Sequence, residues 1–192
     1  MIHIFYLAAG QSRRYGSNKL LEPFGELPLY RHGLETIREA VRGCTAEGDC
    51  RLYVVTCWRE LVSALENEPD IRLVWSADSP LGMSYTIKAA IAAARPISEG
   101  DYMVFAVADQ PYLSSSSVKR LLDTVALSPT TACLSCGERS GNPVLFSAAL
   151  VPELLELDGD CGGKRVMLRH PEGHIDVQCS PHELSDIDYR VG

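Results

Sequence analysis

The chain has 192 residues, 46% of them hydrophobic and 22% charged, with a net charge of −7. That length suits one domain with a sizeable buried core. The acidic balance argues against a general polyanion binder, because nucleic-acid domains carry a basic face. No apolar run reaches the roughly 18 residues of a membrane span. Neither nucleic acid nor membrane is therefore an expected partner.

In chain order, Ile2–Leu7 is a short apolar run that reads as a strand buried on both faces. It is too short, and lacks the preceding basic residue, for a signal peptide. The stretch "LAAGQSRRYGSNKLL" follows, with small residues and cations close together. Pro28 fits the first position of a helix whose face is Tyr30, Leu34, Ile37 and Val41. Residues 45–49 read as a surface loop. Strand Leu52–Cys57 then leads to a helix marked by Trp58, Leu61, Val62 and Leu65. Strand Ile71–Trp75 precedes a helix marked by Ile87, Ala90, Ile91 and Ala94. Strand Tyr102–Val107 precedes a helix capped within 114–117, with the face Val118, Leu121, Leu122 and Val125. Thr131–Leu134 and Pro143–Phe146 are further strands, Leu150, Leu154 and Leu155 mark a fifth helix, and 166–168 a short sixth. His174–Gln178 is the last strand. Strands alternating with helices predict an α/β sandwich around a mostly parallel sheet. Ligands in such folds bind beyond the carboxyl ends of the strands.

Seven cysteines, an odd number at scattered spacing, suit reduced thiols and a cytoplasmic location. Cys133 and Cys136 form a C-x-x-C with no second pair and no nearby histidine in the sequence. It reads as two thiols packed in or beside a strand, the alternative being a metal or redox role. His3, His32, His170, His174 and His182 are likewise assigned to packing or surface.

The loops after the strands hold the chemistry-bearing residues. Leu7, Ala8, Ala9 and Gly10 let backbone N–H groups approach a phosphate closely. Arg13, Arg14 and Lys19 add cations beside them. The pattern is neither a P-loop nor a dinucleotide fingerprint, and the alternative is a tight turn followed by solvated charges. Asp109, directly after a buried strand in Ala108-Asp109-Gln110-Pro111, is placed either to hold Mg²⁺ or to cap a turn. Gly82, Ser84 and Thr86 open a helix, where their hydroxyls and amides serve a base or sugar, or simply the helix cap. Gly141-Asn142-Pro143 reads as a turn entering a strand. Asp160, Gly162 and Lys164 lie in a glycine-rich helix entry. Asp186 and Asp188 share one side of the C-terminal segment if it is extended.

Six blocks in order, "LAAGQSRRYGSNKLL", "GMSYTI", "ADQP", "GNPVLF", "GDCGGK" and "DIDY", span nearly the whole chain. Together they resemble the nucleotidyltransferases of molybdenum-cofactor maturation, particularly the molybdopterin cytidylyltransferases. The resemblance implies a three-layer α/β/α sandwich of nucleotide-diphospho-sugar transferase type. It implies a nucleotide held by the Leu7–Gly10 backbone, a triphosphate held by Arg14 and Lys19, and Mg²⁺ held by Asp109 and Asp188, with Asp186 a weaker candidate. Gly82, Ser84 and Thr86 would lie near the nucleotide. Asn142, Asp160, Gly162 and Lys164 would face the acceptor. The implied reaction is CMP transfer from CTP to the terminal phosphate of molybdopterin, with a molybdoenzyme as prospective client. Guanylyl-transferring relatives carry a second glycine where this chain has Ala8-Ala9, which resembles the cytidylyl branch. Gly163 stands for the usual alanine, and Tyr189 for the threonine after D-I-D. The alternatives are transfer from GTP or to another phosphorylated small molecule, an oxidoreductase on the same scaffold, and a non-catalytic cofactor carrier.

Overall fold

The computed structural model describes residues 1–10, 18–42 and 50–187. Arg13, Arg14, Asp188, Tyr189 and the expected 45–49 loop lie outside them. A seven-stranded sheet forms the middle layer, in the order β5-β4-β1-β6-β8-β7-β9. Its strands are β1 (Ile2–Leu7), β4 (Cys50–Thr56), β5 (Ile71–Trp75), β6 (Tyr102–Val107), β7 (Thr131–Cys136), β8 (Arg139–Ser147) and β9 (His174–Gln178). β2 (Pro23–Phe24) and β3 (Leu27–Pro28) pair as a separate two-stranded ribbon. Only β8 runs against the rest of the large sheet.

The sheet's alternation sorts its side chains into two cores. Ile4, Tyr6 and Ala8 point to the layer of α1 (Leu29–Arg42), α2 (Arg59–Leu65) and α4 (Ser115–Asp123). Phe5 and Leu7 point to that of α3 (Met83–Ala94), α5 (Val151–Leu155) and α6 (Lys164–Met167). This period-two division of a continuous apolar strand is what burial on both faces requires. α4 begins where Ser114 Oγ accepts from the Ser117 amide at 3.2 Å, a side-chain N-cap.

Three local expectations are corrected. Pro28 does not open α1 but closes β3, opposite Pro23, and the helix starts one residue later. β4 begins at Cys50 and ends at Thr56, since parallel pairing with β1 sets its span. The turn expected at Gly141-Asn142-Pro143 instead falls at Gly137-Glu138, where Gly137 has φ +59° between the paired Cys136 and Arg139. Asn142 and Pro143 lie inside β8. Register jumps there from Cys133 opposite Val144 to Leu134 opposite Gly141, so both residues bulge from the ladder. Proline, lacking an N–H, fits such a bulge. Cys133 and Cys136 pack on opposite faces of β7, so the C-x-x-C thiols do not converge.

β1 lies between β4 and β6, and successive units step away from it in opposite directions. The switch point between β1 and β6 brings the loops after these two strands together at their carboxyl ends.

Candidate active site

A cavity of about 330 Å³ opens at that switch point. Leu7, Ala9, Gly10, Lys19, Gly82, Thr86, Asp109 and Asp160 are among the residues that line it. A second cavity of about 190 Å³ shares Leu7, Met83 and Val107 with the first and is lined further by Asn142, Gly162 and Lys164. Of the residues assigned to an acceptor, Asp160 therefore sits with the first cavity and the other three with the second.

The loop after β1 is held by its carbonyls. Thr56 Oγ1 donates to the Ala8 carbonyl at 2.9 Å, Cys57 Sγ to that of Ala9 at 3.6 Å, and Trp58 Nε1 to that of Gly10 at 3.3 Å. The Ala8 amide continues the ladder to the Val55 carbonyl. Among the described residues, nothing takes up the amides of Ala9 and Gly10. With its carbonyls so engaged, the loop leaves two N–H groups beside the cavity with no partner among the described residues, the type of arrangement that can receive an anion. Ala8 itself packs into the core, fully buried, and does not line the cavity.

Lys19 and Asp109 meet across this opening. Nζ donates to Asp109 Oδ2 at 2.8 Å and to the Ile187 carbonyl at 2.9 Å. Ile187 in turn donates its amide to the Asp109 carbonyl at 2.9 Å, and Gln110 Nε2 donates to Asp186 Oδ1 at 2.7 Å. The C-terminal segment is thereby laced to the loop after β6. The Asp186 carboxylate faces Gln110 and lines neither cavity. Beneath Asp109, the Tyr6 hydroxyl is fully buried and donates to the Tyr30 carbonyl at 2.6 Å. Burial, and then the Asp109 charge, hold that phenol well above its usual range.

The other wall is built from hydroxyls and a glycine contact. Thr86 Oγ1 donates to Ser79 Oγ, which donates to Ser76 Oγ, both at 2.7 Å. Ser84 does not reach the cavity. It is fully buried, and its amide and hydroxyl both bond the Gly159 carbonyl, at 3.2 and 2.8 Å. That bond draws the 159–160 loop onto Gly82, whose φ is +144°. A Cβ at Gly82 would clash with the Gly159 carbonyl and lie 2.7 Å from the Asp160 nitrogen. At Gly163 a Cβ would lie 2.8 Å from Phe146 Cζ, so glycine in place of the usual alanine matches this chain's own packing.

Sequence reasoning missed Thr56 and Trp58, which fix the β1 loop, and Ser79, Pro80 and Leu81, which wall the cavity. Their position at or just past the ends of β4 and β5 was the available signal. None of the five histidines lines either cavity.

The sheet order and the cation-carboxylate cleft at its switch point define a nucleotidyltransferase type of α/β protein. A model of the MobA-like NTP transferase domain matches residues 4–174, and the chain belongs to that family. Among curated proteins it is 27% identical to the purine catabolism protein PucB of Bacillus subtilis, over 95% of this chain and 89% of that one. It is 30% identical, with the same coverage, to nicotine blue oxidoreductase of Paenarthrobacter nicotinovorans. Among solved structures, a homologue of Mycobacterium tuberculosis Rv0371c from Mycobacterium sp. strain JC1 is 28% identical. It superposes with a TM-score of 0.75 over 97% of this chain and 90% of that one. Rv0371c in complex with manganese shares the fold at TM-score 0.70 and 22% identity, over 93% of this chain and 89% of that one. No helix among the described residues is long and apolar enough to cross a membrane.

Proposed function

We propose that the chain transfers CMP from CTP to the terminal phosphate of a molybdopterin-type acceptor. The observation that carries this reading is the Lys19–Asp109 pair, set at one cavity mouth beside the amides of Ala9 and Gly10, which have no partner among the described residues. Amides and Lys19 suit a triphosphate, and Arg14 is assigned to it from its position in the motif. The adjoining cavity with Asn142 and Lys164 suits a second, phosphorylated substrate.

Asp109 presents one carboxylate directly after a strand, and Mg²⁺ takes one or two carboxylates plus phosphate oxygens and water. The donor set fits such an ion, with Asp188 as the proposed second ligand. That assignment is supported by its neighbour Ile187, which bonds Asp109 and Lys19. When bound, Mg²⁺ neutralises phosphate charge and orients the leaving group. An acceptor phosphate oxygen attacks the α-phosphorus in line. The new P–O bond forms as the α–β bridging P–O bond breaks, and pyrophosphate leaves with the electron pair. A phosphate monoester is already largely ionised near pH 7, so no general base is needed. Lys19 and the loop amides orient the triphosphate and stabilise the developing charge. The Ala9 methyl at the cavity wall supports the smaller cytosine over guanine.

Hydride transfer on the same scaffold is the second reading, favoured by the likeness to nicotine blue oxidoreductase. It leaves the Lys19–Asp109 pair without a task.

The test is thermal shift with each of four nucleoside triphosphates, with and without Mg²⁺, followed by pyrophosphate release with molybdopterin. A ligand that binds only the native state raises its stability. A Mg²⁺-dependent, CTP-selective shift is expected, and Asp109→Ala should abolish turnover while keeping the wild-type circular dichroism. A shift with NAD(P)H and none with any triphosphate would overturn the proposal.

A further inference from the structure

At the edge of the sheet, β7 and β9 pair in parallel with Thr131 opposite His174 and Cys133 opposite Asp176. Residues two apart on a strand share a face, so these four side chains meet on one patch of the sheet edge. Cys133 Sγ lies 3.6 Å from His174 Nε2 and 3.6 Å from Asp176 Oδ1, and His174 Nε2 lies 3.5 Å from Asp176 Oδ1. The three donors form a nearly equilateral triangle.

Tetrahedral Zn²⁺ sites have metal–ligand distances of about 2.3 Å to sulfur and about 2.0–2.2 Å to nitrogen or oxygen. At tetrahedral angles such ligands stand about 3.3–3.6 Å apart, the spacing found here. The second ring nitrogen of the histidine is also provided for. His174 Nδ1 lies 2.8 Å from Thr131 Oγ1. Donation to that oxygen leaves the Nε2 lone pair facing the thiol and carboxylate, the outer arrangement typical of metal-bound histidine. Cys133 is buried, His174 half-buried and Asp176 exposed, so the triangle is open to solvent on one side only.

We propose that Cys133, His174 and Asp176 bind one Zn²⁺-class cation, with a water at the fourth position on the Asp176 side. Sulfur and imidazole select such ions, whereas the oxygen donors of the cleft select Mg²⁺, so one chain sorts two metals by ligand chemistry. Binding forms the metal–sulfur bond as the thiol proton is released to solvent. The ion clamps β9, an edge strand, to β7.

The experiment titrates the full-length, metal-stripped protein with Co²⁺, a spectroscopic stand-in for Zn²⁺. Expected are one equivalent bound, a thiolate-to-cobalt charge-transfer band, tetrahedral d–d bands, and loss of all three on adding Zn²⁺. Cys133→Ser should abolish the charge-transfer band. Asp176→Asn and His174→Asn should weaken binding, and Thr131→Val should do so about 10–100-fold. Cys136→Ser, on the opposite face of β7, should leave the spectrum unchanged. Should Cys133→Ser fail to fold, Asp176→Asn decides, since its side chain is exposed. No stoichiometric Co²⁺ binding by the wild type overturns the proposal. So does a charge-transfer band that survives Cys133→Ser, or Co²⁺ affinity untouched by Asp176→Asn.

Discussion

Removing the Lys19 charge probes the cleft most directly. Lys19→Met keeps the length of the side chain but deletes both donations, to Asp109 Oδ2 and to the Ile187 carbonyl. The pair is neither fully buried nor fully exposed, with side-chain exposures of 11% for Lys19 and 26% for Asp109. An exposed pair contributes about 0–1 kcal/mol, and a hydrogen bond to a charged group about 1.5–3 kcal/mol. The variant should therefore lose about 1–3 kcal/mol. For a chain of this size each kcal/mol is worth about 2–4 °C in Tm. Asp109→Asn and the double variant complete a cycle, whose coupling should fall at about 0.5–2 kcal/mol. Pyrophosphate release should fall about 10²–10³-fold in Lys19→Met, the usual cost of losing one preorganised donor to transition-state charge. Strict additivity in the cycle together with wild-type turnover would refute the reasoning, because Lys19 would then be a solvated surface charge.

Gly82→Ala must relieve both a φ of +144° and the clash with Gly159. It should lose at least about 1–3 kcal/mol, and an unchanged denaturant midpoint would contradict the packing described. Ala9→Gly removes the methyl at the cavity wall. It should move the CTP-to-GTP preference toward GTP by about tenfold or more, read as the ratio of kcat/KM values, and an unchanged ratio would place base selection elsewhere. Burial raises the Glu183 carboxyl, but bonds from the Ser114 hydroxyl and amide and from the Ser180 amide win and hold it below its usual range. A depressed carboxyl stabilises the fold above its unfolded pKa of about 4.3 and loses that contribution as pH falls through the folded value. The difference between wild type and Glu183→Gln, about 1–3 kcal/mol at pH 7, should thus shrink in urea titrations below about pH 4. A gap that persists at low pH would refute it.

The central strands were legible because burial on both faces writes continuous apolar runs, and Ile2–Leu7 and Tyr102–Val107 form with the bounds their residues suggest. Ile71–Trp75 and His174–Gln178 also form with their expected bounds, but as half-buried edge strands that mix apolar and polar residues. The β2–β3 ribbon was not legible, since two-residue strands carry no period, and a proline before an apolar-periodic helix reads equally as its first residue. Asp109 and Lys19 were legible as types and positions, but their contact spans the fold. Ser84 shows the opposite limit. A serine opening a helix looks the same whether it faces a ligand or, as here, bonds a carbonyl in a distant loop. His174 was assigned to packing or surface for the same reason. Two of its partners, Thr131 and Cys133, lie one strand away in space and about forty residues away in sequence, where spacing rules do not reach.

The bond from Lys19 to the Ile187 carbonyl joins positions 168 apart. During synthesis Lys19 precedes both Asp109 and Ile187, so these two bonds form only once the loop after β6, and then residue 187, have followed. A chain made only as far as β6 therefore carries the loop after β1 without these two bonds to Lys19.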